Sequence, residues 1–210
     1  MDLFNRKKIN EKRVKGPEDF TKVMKIADPL ADKLIDTGLG DFLLSEFIFD
    51  KSKYVLDKKD ANTVTDSIRP ILGQILGYLK LPLLVDLNVN FTDDVYKFNQ
   101  KFRAGEYRNE WSLRRITLNF NTAYSLENVI AILCHECSHY FMDYHSLNDY
   151  GEPDLYEIRN DVMCCLLGFY KELKDGYKES YVGKSIFAQG RLKIGYINFY
   201  EAIEIGRAHV

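Results

Sequence analysis

The residues that organise this chain are His135-Glu136-Cys137-Ser138-His139, where two histidines lie four positions apart and a glutamate follows the first. Residues four apart share one face of an α-helix, so both imidazole rings can reach a single cation. The glutamate stands one step round the helix, close to any water bound to that cation. This spacing is typical of a catalytic zinc site, and it makes His135 and His139 candidate ligands.

The sequence before the motif predicts a strand followed by a helix. Residues 116–120 alternate between apolar and polar side chains, as a half-buried strand does. Ser125 can begin the next helix, and apolar residues then recur at helical spacing up to the motif: Leu126, Val129, Ile130, Ile132 and Leu133. The motif is therefore predicted to lie on a helix.

A pair of acidic residues follows further along the chain. Glu157 and Asp161 are four positions apart, so a helix would place both on one face. A catalytic zinc site needs a third protein ligand and keeps one position open. Glu157 can supply that ligand, and the complete pattern reads H-E-x-x-H followed by E-x-x-x-D.

This two-part pattern resembles that of the gluzincin metallopeptidases, and the short gap between its halves is similar to that of small bacterial zincins of the ImmA/IrrE kind. The resemblance covers roughly residues 110–175. It implies that His135, His139 and Glu157 hold a zinc ion. It also implies that Glu136 is the general base and that Asp161 orients a ligand histidine.

The resemblance also implies an α+β, zincin-like fold, in which a small twisted sheet packs against the helix of the motif. In zincins a strand beside the cleft binds extended substrate by main-chain pairing. By resemblance, residues 114–121 would be that strand. Alternation at residues 83–91 predicts a second strand that pairs with it, and the segment 101–108 is expected to wall the cleft.

His145 offers a different third ligand, because a histidine six residues after His139 also matches metzincin spacing. In metzincins a glycine three residues after the second histidine turns the chain, so that the third histidine swings back. Met142 occupies that position here, and methionine avoids the left-handed backbone that such a turn favours. We therefore expect Glu157, rather than His145, to be the third ligand.

The cysteines suggest two other interpretations. Cys134 and Cys137 bracket the first residues of the motif, and thiolates often complete structural zinc sites. On a helix, however, Cys134 lies about 100° from His135, and Cys137 is also turned away from the ligand face. We expect both to pack as free thiols. A redox sensor would require an exposed thiolate near positive charge.

The predicted reaction is hydrolysis of peptide bonds in a protein or peptide substrate, with Zn²⁺ as the cofactor. Several side chains near the motif could stabilise the oxyanion: Tyr140, Tyr150, Tyr156 and His145. The alternative is a catalytically silent regulatory or interaction module that keeps the metal and the fold. Such a module has no chemical need for Glu136, so this residue favours the enzyme.

Composition limits the possible partners and locations. The formal net charge of −2 gives no general attraction to nucleic acid or to anionic membranes. No apolar run is long enough to span a bilayer, and the first residues lack the apolar core of a signal peptide. We expect a cytoplasmic protein without nucleic-acid or membrane partners.

The chain divides into three predicted parts. Residues 1–60 form a helical N-terminal region with an amphipathic helix over residues 18–36, and residues 61–204 form the zincin-like domain. Residues 205–210 are expected to be a non-native tail, because the start of a common sequencing adapter can encode them. His209, in this tail, is therefore not counted as a ligand.

Two further elements are predicted before the sheet. The apolar residues at 42–44 and 47–49 are expected to belong to the core. Asn62 is expected to cap a helix that carries an apolar stripe from Ile68 to Leu79, with Pro70 in its first turns or at a kink.

Overall fold

The structure, a computed structural model, describes residues 17–92, 104–110, 113–148, 153–176, 180–182 and 190–192. Tyr150, the segment 101–103 and the predicted tail at 205–210 lie outside these ranges, as do residues 1–16. None of the helices within them is both long and apolar enough to cross a membrane.

The described residues form an α+β arrangement, as predicted. Its helices are α1 (Pro17–Asp36), α2 (Ala61–Tyr78), α3 (Leu126–Tyr144), α4 (Pro153–Cys164) and α5 (Tyr170–Gly176). Its strands are β1 (Val85–Thr92), β2 (Gly105–Glu110), β3 (Leu113–Asn121), β4 (Ser180–Val182) and β5 (Gly190–Leu192). The last two pair with each other, and the first three form a separate sheet.

The N-cap of helix α2 lies two residues before the predicted one. Asp60, not Asn62, is the N-cap, because its carboxylate accepts hydrogen bonds from the main-chain N–H groups of Asn62 and Thr63, both at 2.9 Å. The N–H of Asp60 in turn donates a hydrogen bond to the hydroxyl of Thr63. The prediction of Asn62 as the cap was wrong, because either polar residue could have capped this helix. Pro70 lies in the middle of α2 rather than in its first turns.

Strand β3 is the central strand of the three-stranded sheet. It pairs in parallel with β1 and antiparallel with β2. The predicted pairing of the two strands is confirmed. The expectation that residues 114–121 form the substrate-binding edge is wrong, because the main-chain groups of β3 already pair on both sides. Among the described residues, β2 is the outer strand on the side of the motif.

Helix α3, which carries the motif, is the central helix of the fold. Ser125 caps it by accepting from the N–H of Asn128, and every residue from Asn128 to Met142 is buried. The helix contacts α2, α4 and α5 as well as β2 and β3. Because it packs on all sides, its polar residues have to find partners within the protein.

The apolar cluster at residues 42–49 belongs only partly to the core. Phe42 and Phe47 are buried, and their rings contact Tyr78 of α2. Leu44 and Ile48 are instead 82% and 86% exposed. The core prediction therefore holds for the aromatic residues and is wrong for these two aliphatic ones.

A sharp bend at Gly168 returns the chain from α4 to α5. Its φ of 87° lies in the left-handed region, and a Cβ there would come within 2.5 Å of the carbonyl oxygen of Ser45. The carbonyl of Gly168 accepts a hydrogen bond from the N–H of Phe47 at 3.2 Å. The bend lets α5 pack against α3 on the side away from the sheet.

Glu172 on α5 is a buried acid within this packing. Its side chain is almost inaccessible, and one carboxylate oxygen has no hydrogen-bond partner among the described residues. Burial raises its pKa to about 7, although the charge of Lys51 opposes this shift. The folded protein therefore holds the proton on Glu172 more tightly than the unfolded chain does.

We expect Glu172→Gln to stabilise the protein at neutral and alkaline pH. The folded pKa of about 7 exceeds the ordinary value of 4.5, so the favourable contribution of Glu172 is complete below pH 4.5 and is lost as the pH rises through 7. The loss approaches roughly 3 kcal/mol at high pH. Urea unfolding at pH 5 and pH 8 measures this loss, as the difference in unfolding free energy between the variant and the parent at each pH.

The exposed acid Asp32 on α1 supplies the control for losing a carboxylate at the surface, where Asp32→Asn should change the unfolding free energy little. A Glu172→Gln variant whose unfolding free energy follows the parent at both pH values would contradict the prediction.

Candidate metal centre

Two histidines of α3 and one glutamate of α4 converge at the contact between these helices. Glu157 Oε2 lies 3.2 Å from His135 Nε2 and 3.2 Å from His139 Nε2. The three atoms all lie within 4.8 Å of one another. The structure thus brings together the three residues predicted as ligands.

The spacing of these atoms fits a tetrahedral cation. Zinc bonds to nitrogen and oxygen are about 2.0–2.1 Å long, which places neighbouring tetrahedral ligand atoms about 3.3 Å apart. The two measured distances of 3.2 Å agree with that value. Two imidazoles with one carboxylate are also a donor set that zinc accepts in catalytic sites.

Asp161 fixes the orientation of the first histidine. It is fully buried, and its Oδ1 accepts a hydrogen bond from Nδ1 of His135 at 2.7 Å. A proton held on Nδ1 leaves Nε2 as the atom that can bind a metal, and the bond fixes the plane of the ring. Its contact with His135 supports the role that the resemblance implied for Asp161.

The charges at this centre favour a cation. Burial alone would lower the pKa of His135, but the carboxylates of Asp161 and Glu157 outweigh it and hold this pKa well above its usual range. Burial alone would raise the pKa of Glu157, but hydrogen bonds from both histidines hold it well below its usual range. Burial lowers the pKa of His139. The buried carboxylate of Asp161 and the partly buried carboxylate of Glu157 thus both favour positive charge at this centre.

Asn160 is a residue of this site that the sequence analysis missed. Its amide nitrogen donates to the main-chain oxygen of His135 at 2.9 Å, and its amide oxygen accepts from the hydroxyl of Ser138 at 2.5 Å. Asn160 and Ser138 are both fully buried. The signal that could have revealed it is the position of a polar residue directly beside Asp161, just before the apolar run that begins at Val162. Asn160 thus joins α4 directly to the main chain of the ligand-bearing turn of α3.

Glu136 does not join the three ligands, and its side chain packs against β2 at Gly105. Its side chain is almost completely buried beside the main chain of β2. Burial raises its pKa to about 7; the charge of His135 lowers it and that of Glu157 raises it. A carboxylate with a pKa near neutrality is suited to accept and release a proton.

His145 does not join the metal-binding group. Helix α3 continues through Met142 to Tyr144, and His145 is its C-cap residue. Its ring packs against the ring of Phe141, with centroids 4.5 Å apart. The absence of a turn at Met142 agrees with the backbone preference of methionine.

The cysteines do not have the surroundings that a redox sensor requires. All four are free and buried, and burial raises the pKa of Cys134 and of Cys137 well above its usual value. A buried, protonated thiol reacts slowly, so the redox interpretation is not supported.

Two of the tyrosines considered as oxyanion donors have defined positions. The ring of Tyr156 stacks on His139, with centroids 4.9 Å apart. Tyr140 stacks on Tyr107, and its hydroxyl is directed towards the carbonyl oxygen of Pro82 at 3.4 Å. Of these two, Tyr156 is the one in contact with a candidate ligand.

Comparisons with known protein families, with curated proteins and with solved structures find no match to this chain. The function has to be inferred from the site itself.

Zinc titration should separate the two candidates for the third ligand. We expect Glu157→Ala to lower zinc affinity far more than His145→Ala, because only Glu157 lies at ligand distance from both histidines. Asp161→Asn should have an intermediate effect of about 10- to 100-fold, through looser orientation of His135. His145→Ala is the matched control. The ligand set is wrong if His145→Ala empties the site while Glu157→Ala leaves it filled.

Proposed function

We propose that this protein is a zinc-dependent metallopeptidase with a zincin-like fold, which hydrolyses peptide bonds in protein or peptide substrates. The observation that carries the proposal is the convergence of two imidazole nitrogens, each 3.2 Å from the same carboxylate oxygen of Glu157. A second acid, Glu136, lies next to His135 in the chain without joining the ligands. That combination leaves one position open for water and provides a base beside it.

Each residue has a separate task in the proposed reaction. His135, His139 and Glu157 would hold the metal, which when bound would lower the pKa of a water and polarise the substrate carbonyl. Asp161 keeps the proton of His135 on Nδ1. Glu136 accepts a proton from the attacking water and delivers it to the leaving amine.

Three features favour catalysis over a structural metal or a silent module. The group contains three ligands, whereas structural zinc sites usually fill four positions. The cysteines that could have completed a structural site are absent from the group. Glu136 also carries a desolvation penalty, visible in its raised pKa, that a silent module would gain nothing by retaining.

The arrangement of the sheet also supports a zincin-like fold. Strand β2 runs beside the motif helix and is the outer strand there among the described residues. We assign to β2 the substrate-pairing role first expected of residues 114–121. The N–H of Asn119 donates to the carbonyl of Ala104, so by alternation the main-chain groups of Gly105 and Asn109 and the carbonyl of Tyr107 face the outer edge, where substrate can pair.

Glu136→Gln should retain the metal and lose most of the activity. The amide preserves the shape of the side chain but cannot accept the water's proton, so we expect hydrolysis to fall by roughly 100-fold or more. Metal analysis should find about one zinc per chain in parent and variant. Cleavage of a fluorogenic peptide library measures the activity.

Glu127→Gln makes the same chemical change on the same helix, at a side chain that is 40% exposed, and should cleave like the parent. The proposed role of Glu136 would be falsified if the Glu136→Gln variant cleaved a responsive substrate at the parent's rate.

A further inference from the structure

Strand β2 approaches Glu136 more closely than any side chain at position 105 would permit. A Cβ added to Gly105 would overlap the Oε1 atom of Glu136, and it would lie 2.8 Å from Cγ of the same residue. It would also lie 2.6 Å from a methyl carbon of Ile132, one turn earlier on α3. The side chain of Glu136 therefore packs directly against the main chain at Gly105.

Two residues further along β2, the main-chain N–H of Tyr107 faces the outer edge of the strand, because Ala104 and Asn119 form a hydrogen-bonded pair. This N–H is therefore not needed for pairing with β3. It lies near the same carboxylate and lowers the pKa of Glu136, opposing the larger effect of burial. Glu136 takes the place that a neighbouring strand would otherwise occupy at this point.

The side chains of β2 fix the strand to the same helix. Tyr107 donates from its hydroxyl to Asp143 Oδ2 at 3.0 Å, and Asn109 donates from its amide to the same oxygen at 2.7 Å. The ring of Tyr107 also stacks on Tyr140 at 5.7 Å. Glu136, Tyr140 and Asp143 lie four and three positions apart, so one stripe of α3 receives all of these contacts.

We propose that Gly105 and Tyr107 of β2 are positioning residues, which hold the carboxylate of Glu136 in the orientation required of a general base. The inference rests on the proposed function for the role of Glu136. Gly105 leaves the space for the carboxylate, and the N–H of Tyr107 fixes its direction. Asp143 anchors the strand that carries both. The ligand His135 is held by Asp161 and Asn160 of α4 instead. The support of the base and the support of the metal ligands therefore lie on different elements.

The first test is Gly105→Ala, which moves the carboxylate without changing an acid or a ligand. We expect kcat to fall by about 10- to 100-fold, because small displacements of a catalytic group are costly. KM and the zinc dissociation constant should stay within about threefold of the parent. Gly73→Ala is the matched control, since a Cβ there meets no atom within 4 Å, and its kcat should equal the parent's.

Unchanged kcat in Gly105→Ala would overturn the proposal. So would a fall in kcat accompanied by an equal loss of zinc affinity, because that result would indicate general disruption of the fold.

The second test needs neither activity nor metal. Hydrogen exchange of the Tyr107 amide, followed by NMR in the full chain, should be at least about 10-fold faster in Glu136→Ala than in the parent, because its hydrogen-bond acceptor is gone. The Asn109 amide faces the same edge without this acceptor and should exchange equally in both. Equal rates for Tyr107 would overturn the proposal even if the protein proves to be a peptidase. If the Tyr107 amide exchanges faster in Glu136→Ala but the parent cleaves no peptide, the contact between Tyr107 and Glu136 is supported and the proposed function is wrong.

Discussion

The buried contact between α3 and α4 is the constraint on which the rest of the structure depends. Ionisable groups are tolerated in a protein interior only when they are paired and hydrogen-bonded. His135 meets this condition through Asp161 on one nitrogen and Glu157 on the other. Asn160 then joins the main chain of the same turn. The bonds that assemble the ligands are thus the bonds that hold the two helices together, and separating the helices would leave several buried polar groups without partners.

Helical periodicity allows α3 to use two of its faces for different purposes. His135 and His139 are four residues apart and face α4, where Glu157 meets them. Glu136 is turned by about 100° from His135, and it meets the main chain of β2 instead. A metal ligand and the proposed base can therefore be neighbours in the chain and still rest on different elements. A change to one support need not disturb the other.

Buried polar groups, at the site and on α5, carry a free-energy cost that the apolar core has to offset. Glu136 and Glu172 both have a pKa raised by burial, and Nδ1 of His139 is buried without a hydrogen-bond partner in the described part of the chain. By contrast, α2 presents only aliphatic side chains as its buried residues. This division is expected of proteins that place strained or unpaired groups at functional sites and compensate for them with packing elsewhere.

The sequence alone indicated the main helices, two of the strands and the candidate ligands, because these follow from local periodicity. The spacing of His135, His139, Glu157 and Asp161 placed them on helix faces, and the alternation of apolar residues located β1 and β3. Strand β2 was not predicted, since its segment was expected only to wall the cleft. Choices between chemically similar neighbours escaped this reasoning, as the capping of α2 by Asp60 shows. Sheet order escaped it as well, because β3 is central only through pairing with distant β1 and nearby β2. Asn160 and Gly105 acquire their importance only where α4 and β2 meet α3. Tertiary structure alone decides these contacts, because packing between elements distant in sequence leaves no periodic pattern in either segment.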